Sequence, residues 1–337
     1  MEGPATSNDV ARLAGVAQST VSYVLTGKGR VSEETRRRVL RAAEELNYQP
    51  NAGAKALRSR RSRVIGLMFP VHAAGSQPAR LRFLTDVVSA CREQGYDALV
   101  VTADEGAEGL RRLAGTALCD GLLVLEVKDR EPLAEVSHEL RIPTLFVGIP
   151  TRHDSIICVA RDYTRAAELC VEHLASQGRR RLRLLTPSAS YLTSLNFHRR
   201  FVRGARAAAE RHGIELTEQP VRPAFLDLHA DTGAMLDAGT ALDGIICSPE
   251  VQPANVTSSL LLHGVNPGTD VSVVGIGEHE GDTEGPDGTT ISLALLSGTE
   301  LARRSVTRLL DLVEGRPQAL APGALDLLEP EWRAGTT

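Results

Sequence analysis

From residue 64 onward, short unbroken apolar runs alternate with amphipathic stretches of helical period. Runs at 64–69, 98–102, 121–125, 144–147, 155–159, 182–185, 244–247, 271–276 and 290–293 read as strands. Helical patterns at 78–94, 107–117, 162–177 and 298–312 lie among them, with further helices between the later strands. Strands that are apolar on both faces and separated by helices predict parallel sheets covered on both sides. The 274 residues after position 63 are too many for one small sheet. Two βα subdomains with a ligand cleft between them are expected. Aromatic residues make up only 4% of the chain, so Leu, Val, Ala and Ile must build the core. No apolar run reaches the roughly 18 residues that a membrane-spanning helix needs, and the first thirty residues hold no apolar segment of the signal-peptide kind. Cys91, Cys119, Cys158, Cys170 and Cys247 are dispersed with no C-x-x-C pair, which predicts reduced thiols in a cytoplasmic protein.

Charge divides the chain unevenly. Residues 1–63 carry 12 Lys/Arg against 6 Asp/Glu, whereas the rest carries 26 against 36, for a net charge of −4 overall. A basic block ahead of a large acidic one suggests an N-terminal piece that meets a polyanion and a body that repels one.

The first sixty residues read as three short helices and a basic connector. Thr6 is a good N-cap with Asp9 three residues on, and Val10, Leu13 and Ala14 follow at helical spacing. Gly15 suits a sharp turn between helices. In 18–25, Val21, Val24 and Leu25 form one apolar face, leaving Gln18, Ser19, Thr20, Ser22 and Tyr23 to point outward. Ser32 caps a third helix over 33–46, with Val39, Leu40, Ala43 and Leu46 inside. Two short helices joined at a glycine and supported by a third form the helix-turn-helix pattern. Lys28, Arg30, Arg36, Arg37 and Arg38 around an exposed polar second helix favour DNA over other trihelical roles.

The residues Asn8-Asp9-Val10-Ala11-x-x-Ala14-Gly15-Val16-Ala17-x-Ser19-Thr20-Val21-Ser22-x-Val24-Leu25 resemble the DNA-binding head of the LacI/GalR family. Val31-Ser32-x-x-Thr35-Arg36 and Leu46-Asn47-Tyr48-x-Pro50-Asn51 continue the likeness, and 52–58 is similar to that family's hinge helix. The resemblance implies a homodimer that sets its second helices in major grooves of a double-stranded, near-palindromic DNA operator. Paired hinge helices would enter the minor groove at its centre. Leu57 matches the residue that wedges into the central base step, and Ala54 matches a hinge contact. A lone apolar side chain among Lys55, Arg58, Arg60, Arg61 and Arg63 suits such unstacking. The DNA-contact candidates are Thr6, Gln18, Ser19, Thr20, Ser22, Tyr23, Arg30, Asn51, Ala54, Leu57 and Arg58. Gln18 and Ser19, at the start of the recognition helix, are assigned to base edges. Thr20 and Ser22 are assigned to phosphates. Tyr23 stands where the family often has Arg, and suits a thymine methyl or a phosphate. Ala17 replaces a common Ser at the cap, which weakens that helix start.

Asp162 with the helix that follows it, Gln177-Gly178-Arg179-Arg180, Asp270-Val271-Ser272-Val273-Val274-Gly275 and Thr289-Thr290-Ile291 resemble the same family's core. The fold class expected is therefore a small all-α helix-turn-helix head plus an α/β core of two parallel-sheet subdomains, periplasmic-binding-protein-like, with three crossovers. The head is placed at 1–50 and the hinge helix and linker at 51–63. The core is placed at 64–332, as an N-subdomain of 64–161 and 290–322 and a C-subdomain of 162–289 and 323–332. No heptad tail follows Trp332, so a homodimer is expected rather than a tetramer.

The cleft departs from the sugar-responsive pattern. Gly148 stands where an Asp is common, Phe201 at the Arg of an R-x-x-G motif, Pro249-Glu250 at an Asn-Asp, and Gly277 at an Asp, with Glu278 beside it. A sugar pocket needs buried donors and acceptors matched to hydroxyls. A simple hexose inducer is therefore not expected. Asn196, Arg199, Arg200, Arg161, Glu250 and Glu278 offer another polar set, and Phe201 a ring to stack on. The effector candidates are Gly148, Arg161, Asn196, Arg200, Phe201, Glu250 and Glu278. The other reading of the cleft is a constitutive DNA binder that holds no ligand tightly.

Catalytic signals are absent from the sequence. Gly275-Ile276-Gly277 is a fragment of G-x-G-x-x-G, but position 280 is Glu; no Walker A, G-x-S-x-G or H-E-x-x-H occurs. The acidic loop at 278–287 reads as solvated rather than metal-binding, and no cofactor is expected. A regulator of transcription, most simply a repressor, is the expected function, with a solute-binding protein of the same core shape as the alternative.

Overall fold

The computed structural model describes residues 5–26, 31–48, 61–69, 77–102, 105–116, 118–188, 196–239 and 241–337. The chain divides into two compact units, 1–62 and 63–337.

In the first unit, α1 (Ser7–Ala14), α2 (Gln18–Thr26) and α3 (Glu33–Glu45) enclose a small core of Val10, Ala11, Ala14, Val21, Val24, Val39, Ala42 and Ala43. The expected capping box forms. The Thr6 hydroxyl accepts from the Asp9 amide at 3.4 Å, and the Asp9 carboxylate accepts from the Thr6 amide at 2.9 Å. Gly15 ends α1 at φ 62°, ψ 42°, a left-handed conformation that costs any residue with a Cβ. Leu40, expected inside, is 48% exposed, and so is Leu13, which follows Val10 at helical spacing. Small residues fill this core instead: Ala11 and Ala14 on α1, Ala42 and Ala43 on α3. With only eight residues, α1 turns one narrow stripe inward, and Leu13 falls off it.

The second unit begins with β1 (Val64–Phe69), α4 (Gln77–Glu93), β2 (Asp97–Thr102), α5 (Gly106–Gly115), β3 (Gly121–Leu125), α6 (Pro132–Ser137), β4 (Thr144–Val147) and β5 (Cys158–Arg161). It continues with α7 (Tyr163–Ser176), β6 (Arg181–Pro187), α8 (Phe197–His212), β7 (Glu215–Val221), α9 (Phe225–Asp237), β8 (Gly244–Cys247), α10 (Pro253–Leu262), β9 (Ser272–Gly277) and β10 (Ser292–Leu295). Helix α11 (Gly298–Glu314), β11 (Leu325–Leu328) and β12 (Glu331–Arg333) complete it. Two six-stranded sheets result, ordered β11-β5-β4-β3-β1-β2 and β12-β10-β9-β8-β6-β7. Every pairing is parallel except that of β10 with β12. Strands β3 and β8 are buried along their whole length, as fully apolar runs between helical layers must be.

The subdomain boundaries expected near the C-terminus are corrected. Strand β10 pairs with β9 in the second sheet, Ser292 opposite Val274, although 290–322 was assigned to the first subdomain. Strand β11 pairs with β5 in the first sheet, Leu325 opposite Cys158, although 323–332 was assigned to the second. From the earlier piece, α11 sits on the first sheet, burying Leu301, Ala302, Val306, Leu309 and Leu310 against it, and Leu320 beyond it packs there too. The first subdomain is thus 64–161 with 298–328, and the second 162–295 with 331–333. The chain crosses between them after β5, after β10 and after β11, which are three crossovers.

Two strands are also displaced. The run expected at 155–159 forms its strand at 158–161, where Cys158 pairs with Phe146. The run expected at 290–293 forms at 292–295 because Thr290 is held by Thr336 and bridged to Glu284. Strand β7 was not visible as an apolar run because it is a sheet edge with Pro220 in it, as edges tolerate.

Candidate functional site

Helix α2 is short, and its inward side is spent on Val21 and Val24. The 100° step between residues then sets Gln18, Ser19, Ser22 and Tyr23 on the opposite side. Gln18, Ser19 and Tyr23 are exposed, Tyr23 by 52%, while Thr20 and Ser22 are half-buried. The Gln18 side-chain amide donates to the Ser7 hydroxyl at 3.0 Å, tying the start of α2 to α1. The Ala17 carbonyl accepts from Thr20 and Val21, but its methyl offers no side-chain cap. Thr6 is occupied by its capping box. Arg37, Arg38 and Arg41 are exposed along α3, and Arg36 lies 3.9 Å from Glu33. A polar helix face on a basic trihelical unit is the arrangement that reads duplex DNA. Arg30, Asn51, Ala54, Leu57 and Arg58 lie outside the described residues, as does the expected hinge helix.

In the second unit, a cavity of about 140 Å³ lies at the C-terminal ends of β3, β4 and β5. Crevices at carboxyl strand ends are where open α/β sheets bind ligands. Its first-subdomain wall is Phe83, Glu126, Val127, Gly148, Ile149, Arg161 and Leu301, among others. Its second-subdomain wall is Tyr163, Asn196, Phe197 and Arg200. Four of the expected effector residues, Gly148, Arg161, Asn196 and Arg200, therefore line one cavity.

The other three do not. Phe201 is fully buried in the second subdomain's apolar cluster, beside Ala166, Ala205 and Ile246. Helical phase decides this: Phe197 and Arg200 face the cavity, so Phe201 turns to the sheet. The expected ring stacking thus falls to Phe197, which stacks on Tyr163 with centroids 5.1 Å apart. Glu250, at φ 77°, is not part of the wall. Glu278 acts from behind it, binding Arg161 at 2.8 Å.

Gly148 explains its own departure from the sugar pattern. Its φ is 132°, and a Cβ there would lie 2.9 Å from the Val127 Cβ. A carboxylate side chain at that position needs the backbone to move.

The cavity's electrostatics are carried by few groups. Arg161 Nη1 donates to Glu278 at 2.8 Å and to the Tyr163 hydroxyl at 3.1 Å. Burial works against its charge, but Glu278 and Tyr163 more than offset that and keep it protonated. Its Nε and Nη2 are buried with no hydrogen-bond partner, an arrangement that costs about 1–3 kcal/mol per orphaned donor. Burial raises the Tyr163 pKa, and Arg161 opposes the shift. Glu126, at φ 53°, is bound by Arg80; burial raises its pKa and Arg80 lowers it. Arg200 has its pKa lowered by burial first and by neighbouring Arg203 second. Besides the bonds of Arg161 to Glu278 and Tyr163, the Asn196 side-chain amide donates across the cleft to the Ile149 carbonyl, and Arg199 pairs with Asp129.

Sequence reading missed Tyr163, Phe197, Glu126 and the apolar wall. Tyr163 had a usable signal, since it follows a strand end directly. Phe83 and Leu301 had none, because they come from helices that reach the cavity only by packing.

A helix-turn-helix unit and a two-sheet, ligand-cleft core in one chain define the class of ligand-responsive DNA-binding regulators. Residues 6–51 match the model for bacterial regulatory proteins of the lacI family, and residues 171–333 that of a periplasmic binding protein-like domain. The ribose operon repressor of Halalkalibacterium halodurans is 30% identical over 287 residues, covering 80% of this chain and 79% of that one. The transcriptional regulator MalR of Staphylococcus xylosus is 28% identical over 193 residues, 55% of this chain and 57% of MalR. The chain thus spans little more than half the length of that relative. A crystal structure of the lac repressor dimer bound to operator and the anti-inducer ONPF superposes with a TM-score of 0.80 at 24% identity, covering 99% of each chain. The chain belongs to the lacI family of bacterial regulatory proteins.

Proposed function

We propose that this chain is a sequence-specific transcriptional repressor that binds a near-palindromic operator as a homodimer in the cytoplasm and is controlled by a small molecule in the core cleft. The observation that carries this reading is the face of α2. Gln18, Ser19 and Tyr23 are exposed on a helix whose inner side is fully committed to the head's core. Gln18 and Ser19 read base edges once the Gln18 amide leaves Ser7, and Thr20 and Ser22 hold phosphates. Thr6 and Arg30 add backbone contacts. Asn51, Ala54, Leu57 and Arg58 act at the minor groove, with Leu57 opening the central step. The names of the relatives, a ribose operon repressor among them, support repression as the mode of action.

Control follows from the three crossovers. A ligand that binds one arrangement of the subdomains better than the other shifts the balance between them, and with it the spacing of the paired hinges. No catalytic step enters this reading. Selection of bound sequences from random duplex DNA with the full chain, at fixed salt, tests it. The expected product is a near-palindrome of about 14–20 base pairs with a deformable central step. Recovery of no motif, with and without metabolite extract, counts against a sequence-specific regulator.

A further inference from the structure

Three charged side chains line the cavity: Glu126, Arg161 and Arg200. Two of them are already matched, Glu126 by Arg80 and Arg161 by Glu278. Arg200 is not. Its guanidinium makes no hydrogen bond or ion pair among the described residues; only its backbone is engaged, the amide donating to the Asn196 carbonyl at 3.0 Å and the carbonyl accepting from the Thr164 hydroxyl at 3.5 Å. Unpaired cationic side chains normally carry their heads out to water. This one stays half-buried beside Arg203, at a cost that a bound anion would repay. Asn196, Phe197 and Arg200 place the first turns of α8 on the same wall, so the positive end of a sixteen-residue helix adds to the potential there.

Asp162 acts on Arg200 only from a distance, with no ion pair between them, so the cavity presents one positive charge that no directly bound group matches. A sugar hydroxyl leaves that charge unmatched, and a phosphate monoester overshoots it with about −1.5 to −2 at neutral pH. A carboxylate brings one negative charge and two oxygens spaced for a guanidinium fork. The remaining wall is apolar and aromatic: Phe83, Val127, Ile149, Leu301 and the Tyr163–Phe197 stack. A cavity of about 140 Å³ is close to the roughly 150 Å³ that holds one benzene ring.

Resting on the regulator reading above, we propose that the effector is a small organic monocarboxylate. Its carboxylate pairs with Arg200, and its body, one ring or a short aliphatic chain, sits between Phe83 and Phe197. Isothermal titration of the full chain tests this with benzoate, phenylacetate and butanoate against their amides, with ribose, glucose and benzyl phosphate alongside. At least one carboxylate is expected to bind about tenfold or more tighter than its amide. Arg200→Gln is expected to weaken that binding about thirtyfold or more, and Arg200→Lys, which keeps the charge, to recover part of it. The inference is overturned if no carboxylate binds, if an amide, sugar or benzyl phosphate binds more tightly, or if Arg200→Gln leaves carboxylate binding intact. The same preparation, with and without the bound carboxylate, is put through the DNA selection. A DNA motif with sugar binding removes the carboxylate and leaves the regulator. Carboxylate binding with no DNA motif removes the regulator and leaves the site.

Discussion

Gly15 and Gln18 show what single residues contribute to the head. At φ 62° Gly15 has no atom within 4 Å of where a Cβ would sit, so a side chain there is strained by backbone conformation and not by crowding. Gly15→Ala is expected to destabilise the head by about 1–2 kcal/mol. Hydrogen exchange at the Val21 and Val24 amides reads this as a rise of roughly tenfold; unchanged protection would mean that the turn relaxes at no cost. Gln18 sits at the first position of α2 with its amide on Ser7. Gln18→Ala is expected to change the ranking of bases at one position of each half-site, by about 1–3 kcal/mol of discrimination. A profile that weakens evenly at every position would reassign Gln18 to the phosphates. These two residues were legible in the sequence because their roles depend on near neighbours in the chain.

Among the elements, α8 holds the most that sequence could not supply. One helix delivers Asn196, Phe197 and Arg200 to the cavity and Phe201, Ala205 and Ala208 to the core. The choice between Phe197 and Phe201 depends on helical phase relative to the sheet, which a motif alignment does not contain. The same helix buries His198, whose two ring nitrogens have no hydrogen-bond partner. Burial lowers its pKa, with Glu218 opposing. The unfolded chain therefore binds a proton at pH values where the folded chain does not. Stability from this group is fully present above the unfolded value of about 6.5 and falls as pH drops below it. Urea titrations of the full chain between pH 7.5 and 5 are expected to show that loss, and His198→Gln to flatten it. A parallel slope in the variant would place the effect elsewhere, for instance on His173, which burial also shifts downward.

For the whole core, the question is what holds the two subdomains against each other. Arg161 joins them through Glu278 and Tyr163, and two further contacts, Arg199–Asp129 and Asn196–Ile149, are ranked by their burial. The Arg199 side chain is 68% exposed, and exposed ion pairs contribute about 0–1 kcal/mol. Asn196 is 8% exposed, and removing it leaves the Ile149 carbonyl unpaired, at about 1–3 kcal/mol. Asn196→Ala is therefore expected to open the cleft, and Arg199→Ala to leave it nearly unchanged. Small-angle scattering of the ligand-free chain checks this through the radius of gyration. Equal profiles for Asn196→Ala and the parent would show that the closed arrangement rests on other contacts. Chain connectivity alone suggested where the subdomains end, and it misled near the C-terminus. Strand β10 follows the second subdomain's β9 and stays with it; only after Leu295 does the chain cross to α11.

Read without coordinates, the sequence determined the head and the architecture. Caps, the glycine turn and helix faces are set by residues three or four apart, and fully apolar runs between amphipathic helices admit few folds other than covered parallel sheets. It also put Gly148, Arg161, Asn196 and Arg200 forward for the cleft. Tertiary structure alone decided which sheet takes the last strands, which aromatic meets the cavity, and which arginine is left without a partner. Each of these is settled by groups far apart in the chain: Leu325 against Cys158, Phe197 against Tyr163, Arg161 against Glu278. Charge matching across 117 positions leaves no local trace, so the unmatched Arg200 emerges only when the cavity is assembled.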